Sequence, residues 1–264
     1  MSYMTKVRER SPLIFNIMNE VASNFSANGL IAVGASPSIS NTPKEANELG
    51  EKANAVVLNL GTLSEDRAEA MMLAGESANK ADVPVILDPI AIGATEFRTK
   101  VIYDILSNIE VAVICANASE IAVLGGALEK TNSPDNLLEK NDPKIAMEVA
   151  RKYNTVVVST GKVDVITDGY RTVLCENGHV MLQNITTSGC LLTSIIAAFT
   201  SVSDGEVFEA SVEAVSGYGI AAEKAMKKVA GPGSFIPAFL DQLYFLTEET
   251  IMTHQKIVDI NKTD

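Results

Sequence analysis

The strongest chemical signal in the chain lies around position 190. In Asn184-Ile-Thr-Thr-Ser-Gly-Cys-Leu-Leu-Thr193, two threonines, a serine and a glycine come directly before an apolar, small-residue helix predicted from Leu191. The start of a helix offers backbone N–H groups without internal partners, at the positive end of the helix dipole, and so attracts anions. Small residues such as Ser188 and Gly189 let a phosphate oxygen approach those amides closely. Cys190 falls on the same turn, where a reacting hydroxyl would meet a phosphoryl group. Thr186, Thr187 and Ser188 also suit plain capping, which alone stabilises a helix by about 1 kcal/mol. The anion reading therefore needs support from elsewhere in the chain.

That support comes from polar residues just beyond the expected C-terminal ends of strands, the edge where open parallel sheets bind ligands. Gly34-Ala-Ser-Pro37 follows the first expected strand, and Asn59 and Gly61 end the second. Asp88-Pro89 ends the third, ahead of Gly93-Ala-Thr95; Asn117 and Glu120 follow the fourth, and Thr160-Gly161 the fifth. Successive strands ending in this way point to a single crevice. Asp88 and Glu120 suit Mg²⁺, directly or through water, because that ion keeps several waters and needs few carboxylates. Each also has an ordinary structural role, an Asp-Pro turn for Asp88 and a first-turn carboxylate for Glu120. Asn117 suits an N-cap, and Cys115 and Cys175 suit core packing. His179 has no suitably spaced acid or nucleophile beside it.

The elements that must position these residues follow from hydrophobic patterning. Leu30 to Val33, Ala55 to Leu60, Val83 to Leu87, Val111 to Ile114 and Thr155 to Ser159 are short runs rich in Val, Ile and Leu, and are expected strands. Between them lie helical patterns over Ser64 to Lys80, Phe97 to Asn108, Ala118 to Leu124 and Asp142 to Tyr153. Such alternation predicts right-handed crossovers and a mostly parallel sheet. Val163 to Thr167 and Arg171 to Glu176 then flank Asp168-Gly169, a hairpin signal. The rest is expected to be helical: Leu191 to Ser201, Glu206 to Val229 and Phe235 to Gln255. Leu128 to Pro143, rich in Asn, Asp, Lys and Glu, reads as a surface loop or short helices inside one domain spanning 1–264.

Composition narrows the partners. The chain has 264 residues, 47% hydrophobic but only 5% aromatic and without Trp, so its core must be aliphatic, as suits buried parallel strands under Ala-rich helices. A net charge of −12 with no basic cluster argues against nucleic acid, whose backbone needs grouped Lys and Arg. Three widely spaced cysteines and two histidines support neither a disulfide framework nor a zinc site. The polar N-terminus is unlike a signal peptide, and the apolar runs are about half of what a bilayer crossing needs. A cytoplasmic location with no membrane contact is expected.

Leu30-Ile-Ala-Val-Gly-Ala-Ser-Pro37, Leu58-Asn-Leu-Gly-Thr62, Val85-Ile-Leu-Asp-Pro89, Gly93-Ala-Thr95 with Phe97-Arg98, Asn117-Ala-Ser-Glu-Ile121 and Gly231-Pro-Gly-Ser-Phe235 together resemble the hydroxyethylthiazole kinases, thiamine-salvage enzymes with a ribokinase-like α/β fold. The resemblance runs from about Ser11 to Thr250 in the family's motif order. It implies transfer of the γ-phosphate of ATP to the alcohol of 4-methyl-5-(2-hydroxyethyl)thiazole with Mg²⁺, in a homotrimer with sites at the subunit interfaces. It also implies that Ile39 and Thr187 contact the thiazole, that Thr160 and the position of Cys115 contact ATP, and that Asp88 and Glu120 serve metal and phosphates. Ser188 and Gly189 would form the anion hole.

Cys190 takes the place where many relatives in the superfamily carry an aspartate base. A thiol at a helix start loses its proton more readily than a free one, so Cys190 is expected to orient the hydroxyl and assist its deprotonation modestly. The sequence departs from the common family pattern in Thr186-Thr187-Ser188-Gly189-Cys190, in Ile39 for Met and in Cys115 for Arg, which removes a bidentate contact. Same-fold alternatives are a pyrimidine or pyridoxal kinase and a nicotinamide-nucleotide hydrate dehydratase. Dehydratases carry Asp where this chain has Cys190. A non-catalytic binding protein is a third reading.

Overall fold

Strand pairing builds one nine-stranded sheet in the order β2-β1-β3-β4-β5-β6-β7-β8-β9 among the described residues, 1–127 and 141–261 of this computed structural model. The strands are β1 (Leu13–Ile17), β2 (Ser36–Ile39), β3 (Ala55–Asn59), β4 (Val85–Asp88), β5 (Val113–Asn117), β6 (Val156–Thr160), β7 (Asp164–Thr167), β8 (Thr172–Cys175) and β9 (Ile257–Asp259). The first six run parallel, and β7, β8 and β9 add antiparallel at one edge. Most of the segment Leu128 to Pro143 lies outside the described residues.

Alternation along each strand sorts its side chains onto two covered faces. Ile14, Val57, Ile86, Val113 and Val158 face a core built with α2 (Glu20–Val33), α8 (Ser188–Thr200), α9 (Val207–Met226) and α10 (Pro232–Tyr244). Phe15, Val56, Leu58, Leu87 and Val157 face the opposite core, with α3 (Pro43–Lys52), α4 (Glu65–Lys80), α5 (Glu96–Asn108) and α7 (Pro143–Tyr153). The remaining helices are α1 (Tyr3–Arg10), α6 (Ala118–Leu124) and α11 (Glu248–His254). No helix among the described residues is long and apolar enough to cross a membrane.

The expected elements between Ala55 and Glu176 are present to within two or three residues at each end, and the Asp168-Gly169 hairpin pairs as anticipated. The N-terminal reading is corrected. Leu30 to Val33 is the last turn of α2, with Leu30 and Val33 buried and Ile31 61% exposed. That one-sided burial belongs to an amphipathic helix, whereas a central strand would bury all four. Gly34, at a left-handed φ of 96°, ends the helix. Gly34-Ala-Ser-Pro37 therefore enters β2 and sits at the sheet edge opposite the crevice. The strands that open the fold are instead β1, whose apolar Leu13-Ile14-Phe15 gave a usable signal, and β2, a half-buried edge strand bearing Pro37 with no signal of its own. The single expected helix Phe235 to Gln255 is two, α10 and α11, followed by the unanticipated β9.

Candidate active site at the C-terminal strand ends

All six parallel strands end at one edge of the sheet. Met18 and Asn19 follow β1, Ile39 ends β2, and Asn59, Asp88, Asn117 and Thr160 are the last residues of β3 to β6. Register places Asn59 beside Asp88 and Asn117 beside Thr160. The start of α8 descends onto this edge.

Thr187 caps α8 with a left-handed φ of 64°, and no side chain makes a capping hydrogen bond there. A β-branched residue in that region is strained, and its hydroxyl is not spent on the helix amides. Gly189 has open space around it, so that even an added Cβ would meet nothing within 4 Å. Ser188 turns its hydroxyl back onto Leu182 O, at 2.8 Å. Behind the turn, the Tyr218 hydroxyl of α9 donates to Ser188 O at 2.7 Å. The Tyr218 ring packs edge-on against Phe239, which stacks on Phe235. A rigid aromatic cluster thus holds an uncapped, open helix start.

Cys190 points inward from that turn. Its side chain packs with Met18 and Ala22, and Ile39 and Ile90 line the same small cluster. The thiol is pushed up to about 12, first by burial and then by the charge of Asp88, with hydrogen bonding from Asn59 and Asn19 opposing. Burial thus acts against the more acidic thiol expected at a helix start.

Asp88 lies within 6% exposure, with Oδ2 accepting from Asn59 Nδ2 at 2.6 Å and Thr193 Oγ1 at 3.4 Å. Burial raises its carboxyl well above the usual range, and the Glu120 charge adds to the rise. Glu120 and Asn117 form a reciprocal capping box at the start of α6, as Asn117 Oδ1 accepts from Glu120 N and Glu120 Oε2 accepts from Asn117 N. Glu120 Oε1 accepts from Ala91 N at 2.8 Å, tying α6 to the loop after β4. Ala91 has a φ of 57° there. Arg98 braces the same loop by donating to Leu60 O and Ile90 O, and its charge sits near Glu120.

The two carboxylates fit a divalent ion of the Mg²⁺ kind. Both are buried and the charge of one raises the other, and among the described residues no group of three or more His, Cys, Asp or Glu could hold a metal alone. An ion that binds one or two carboxylates and completes its shell with water and phosphate meets both conditions.

Thr160 Oγ1 lies 3.3 Å from Ala116 O, half-buried at the rim. Gly161 N donates to Asp164 Oδ1, closing the turn beyond it. Cys115 is placed differently from the other candidates. Its thiol is 3% exposed, buried under α8 beside Thr193, whose hydroxyl donates to Asp88. Sequence reasoning did not single out Asn19, Met18, Ile90 or Tyr218. Asn19-Glu20 before a helical pattern is an N-cap signal that locates the first of these; the other three are apolar-core types without a local signature.

The sheet order, the two helical layers and the edge site define a ribokinase-like fold. A ribokinase-like superfamily protein of Enterococcus faecalis superposes with a TM-score of 0.64 at 13% identity, covering 88% of this chain and 86% of that one. A hydroxyethylthiazole kinase structure from Pyrococcus horikoshii superposes with a TM-score of 0.88 at 39% identity over 98% of this chain and 97% of that one. "Hydroxyethylthiazole kinase 2" of Oceanobacillus iheyensis is 61% identical over 257 residues, 97% of this chain and 98% of the relative. The hydroxyethylthiazole kinase family model matches residues 4–249, and the chain belongs to that family.

Proposed function

We propose that the chain transfers the γ-phosphate of ATP to the primary hydroxyl of 4-methyl-5-(2-hydroxyethyl)thiazole, giving the thiazole phosphate used in thiamine salvage. The observation that carries the chemistry is the uncapped, open start of α8 beside Cys190 and its apolar niche. The acceptor is the alcohol for which the kinase relatives are named.

Phosphoryl transfer needs alignment and charge stabilisation more than a strong base. The thiazole ring lies against Met18, Ile39 and Ile90, near Thr187, with its hydroxyl beside Cys190. Amides of Ser188, Gly189 and Cys190 receive the oxygens of the moving phosphoryl group in a partly dry setting, where such donors act most strongly. The protonated Cys190 thiol orients the hydroxyl oxygen. ATP approaches along the β5–β6 rim, with Thr160 beside it; at Cys115, whose thiol is buried, the backbone makes the contact. Asp88 and Glu120 hold Mg²⁺, which offsets the charge of the phosphates when bound.

A homotrimer with sites at its interfaces, one domain over 1–264 and a cytoplasmic location belong to the same reading. Exposed Val21 and Ile31 on α2, the helix that also carries Asn19, support contact between copies. Sedimentation equilibrium reads the assembly directly, and a monomer at micromolar concentration would remove it.

The test of function is phosphorylation of the thiazole alcohol by purified protein with ATP and Mg²⁺, followed by mass spectrometry, beside pyridoxal and hydrated NADH. Transfer to the thiazole alone is expected. Asp88→Asn should lower kcat by about a hundredfold or more while leaving the melting temperature level or higher, because it removes a desolvated charge.

A further inference from the structure

We propose that Asn19, itself held by Asn59, is a positioning residue that fixes the Cys190 sulfur against the acceptor hydroxyl; the proposal rests on the place given to Cys190 above. Asn19 caps α2, its Oδ1 accepting from Ala22 N at 2.8 Å. That bond uses the oxygen and leaves Nδ2 as the donor end. Nδ2 reaches two acceptors, Asn59 Oδ1 at 2.9 Å and Cys190 Sγ at 3.5 Å.

The polarity of the pair is settled by groups that can only donate. Gly61 N donates to Asn59 Oδ1 at 3.2 Å, so Asn59 presents its oxygen to Asn19 and its Nδ2 to Asp88 Oδ2. Backbone N–H groups thus orient both amides, and neither can flip without losing one. Cys190 Sγ is consequently an acceptor toward Asn19. The Cys190 side chain packs beside the niche of Met18, Ala22, Ile39 and Ile90.

Gly61 gives independent support. An added Cβ there would lie 2.6 Å from Asn19 Nδ2 and 2.8 Å from Asn19 Cβ, while the Gly61 backbone needs no left-handed φ. The missing side chain at 61 is the space that the Asn19 amide occupies. A cap alone needs only the side-chain oxygen; the donors toward Asn59 and sulfur are surplus to capping.

The test is a cycle of single-turnover rates and KM values with ATP and the thiazole alcohol. Asn19→Ser keeps a capping oxygen and removes the Nδ2 donors; Gly61→Ala displaces the amide while keeping Asn19. Each is measured with Cys190 intact and with Cys190→Ala. With Cys190, each should slow transfer about tenfold with thiazole KM within about threefold, as expected for misplacement of a reacting group. With Cys190→Ala, each should slow it less than about twofold. Wild-type rates in either variant, or equal losses in both backgrounds, would overturn the proposal. Should Asn19→Ser fail to fold, Gly61→Ala decides on the same readings. If Cys190→Ala alone transfers at the wild-type rate, the role of Cys190 falls and this proposal with it. A slowed Cys190→Ala beside a fast Asn19→Ser sinks the Asn19 role alone.

Discussion

Cys190 occupies a position suited to acid–base work, yet its surroundings keep it neutral. Burial and the nearby Asp88 charge push its thiol up to about 12, far from any pH at which it could serve as a base. What the residue offers is a fixed sulfur at the mouth of an apolar niche. Its placement depends on the turn that carries it, and that turn depends on Tyr218, whose hydroxyl holds Ser188 O at 2.7 Å. Tyr218→Phe keeps the ring on Phe239 and deletes only this bond. Its loss costs about 1 kcal/mol, a drop of about 2–4 °C in melting temperature for a chain of this size. Transfer should slow several-fold, more than thiazole KM rises. An unchanged rate at saturating thiazole, measured beside the thermal melt, would show that the turn holds its shape without the tyrosine.

Two helices carry most of the site, α8 with its amide start and α2 with Asn19, and they meet at Gly29. A Cβ at that position would fall inside van der Waals contact with the Leu191 side chain. Gly29→Ala gains helix propensity but forces the helices apart, and overpacking of this kind costs about 1–3 kcal/mol. Urea unfolding should show the lower midpoint, with slower transfer because α8 shifts against Asn19; a stabilised protein would mean that Leu191 moves aside freely. The crevice was legible in the sequence where a polar residue ended a clearly apolar strand, as at Asn59, Asp88 and Asn117. It was misread at α2, because Leu30-Ile-Ala-Val33 is as apolar as a strand and too short to display its helical period. Ser36-Pro-Ser-Ile39 carries no strand pattern, since an edge strand needs no buried face. Ile39 was still found, through the family resemblance and not through its element. The position of Cys115 was expected at the nucleotide; its thiol is buried, so a contact there falls to the backbone of β5. The Asn19–Asn59–Asp88 contacts join residues far apart in sequence, and only the register of β1, β3 and β4 brings them together.

Outside the crevice, a half-buried carboxyl gives the fold a pH dependence of its own. Asp164, at the start of β7 beyond Thr160, is raised to about 7 by burial, with the Gly161 amide opposing. Its folded value lies above the ordinary carboxylate value of 3.8, so the folded state holds the proton more tightly. That contribution to stability is complete below about pH 4 and is lost as pH rises to about 7. Asp164→Asn retains an acceptor for Gly161 N without the charge. At pH 8 it should melt about 2–4 °C above the parent, the shift that roughly 1 kcal/mol gives in a chain of this size. At pH 5 the gain should shrink toward zero. A gain that is the same at both pH values would mean that Asp164 does not titrate in this range.

One structure would test the whole arrangement most directly: a crystal grown with ADP, Mg²⁺, aluminium fluoride as a mimic of the transferring phosphoryl group, and the thiazole alcohol. The fluoride ligands should lie about 3 Å from the amides of Ser188, Gly189 and Cys190, with the hydroxyl beside the sulfur. A mimic seated elsewhere, with those amides facing solvent or a neighbouring side chain, would contradict the site.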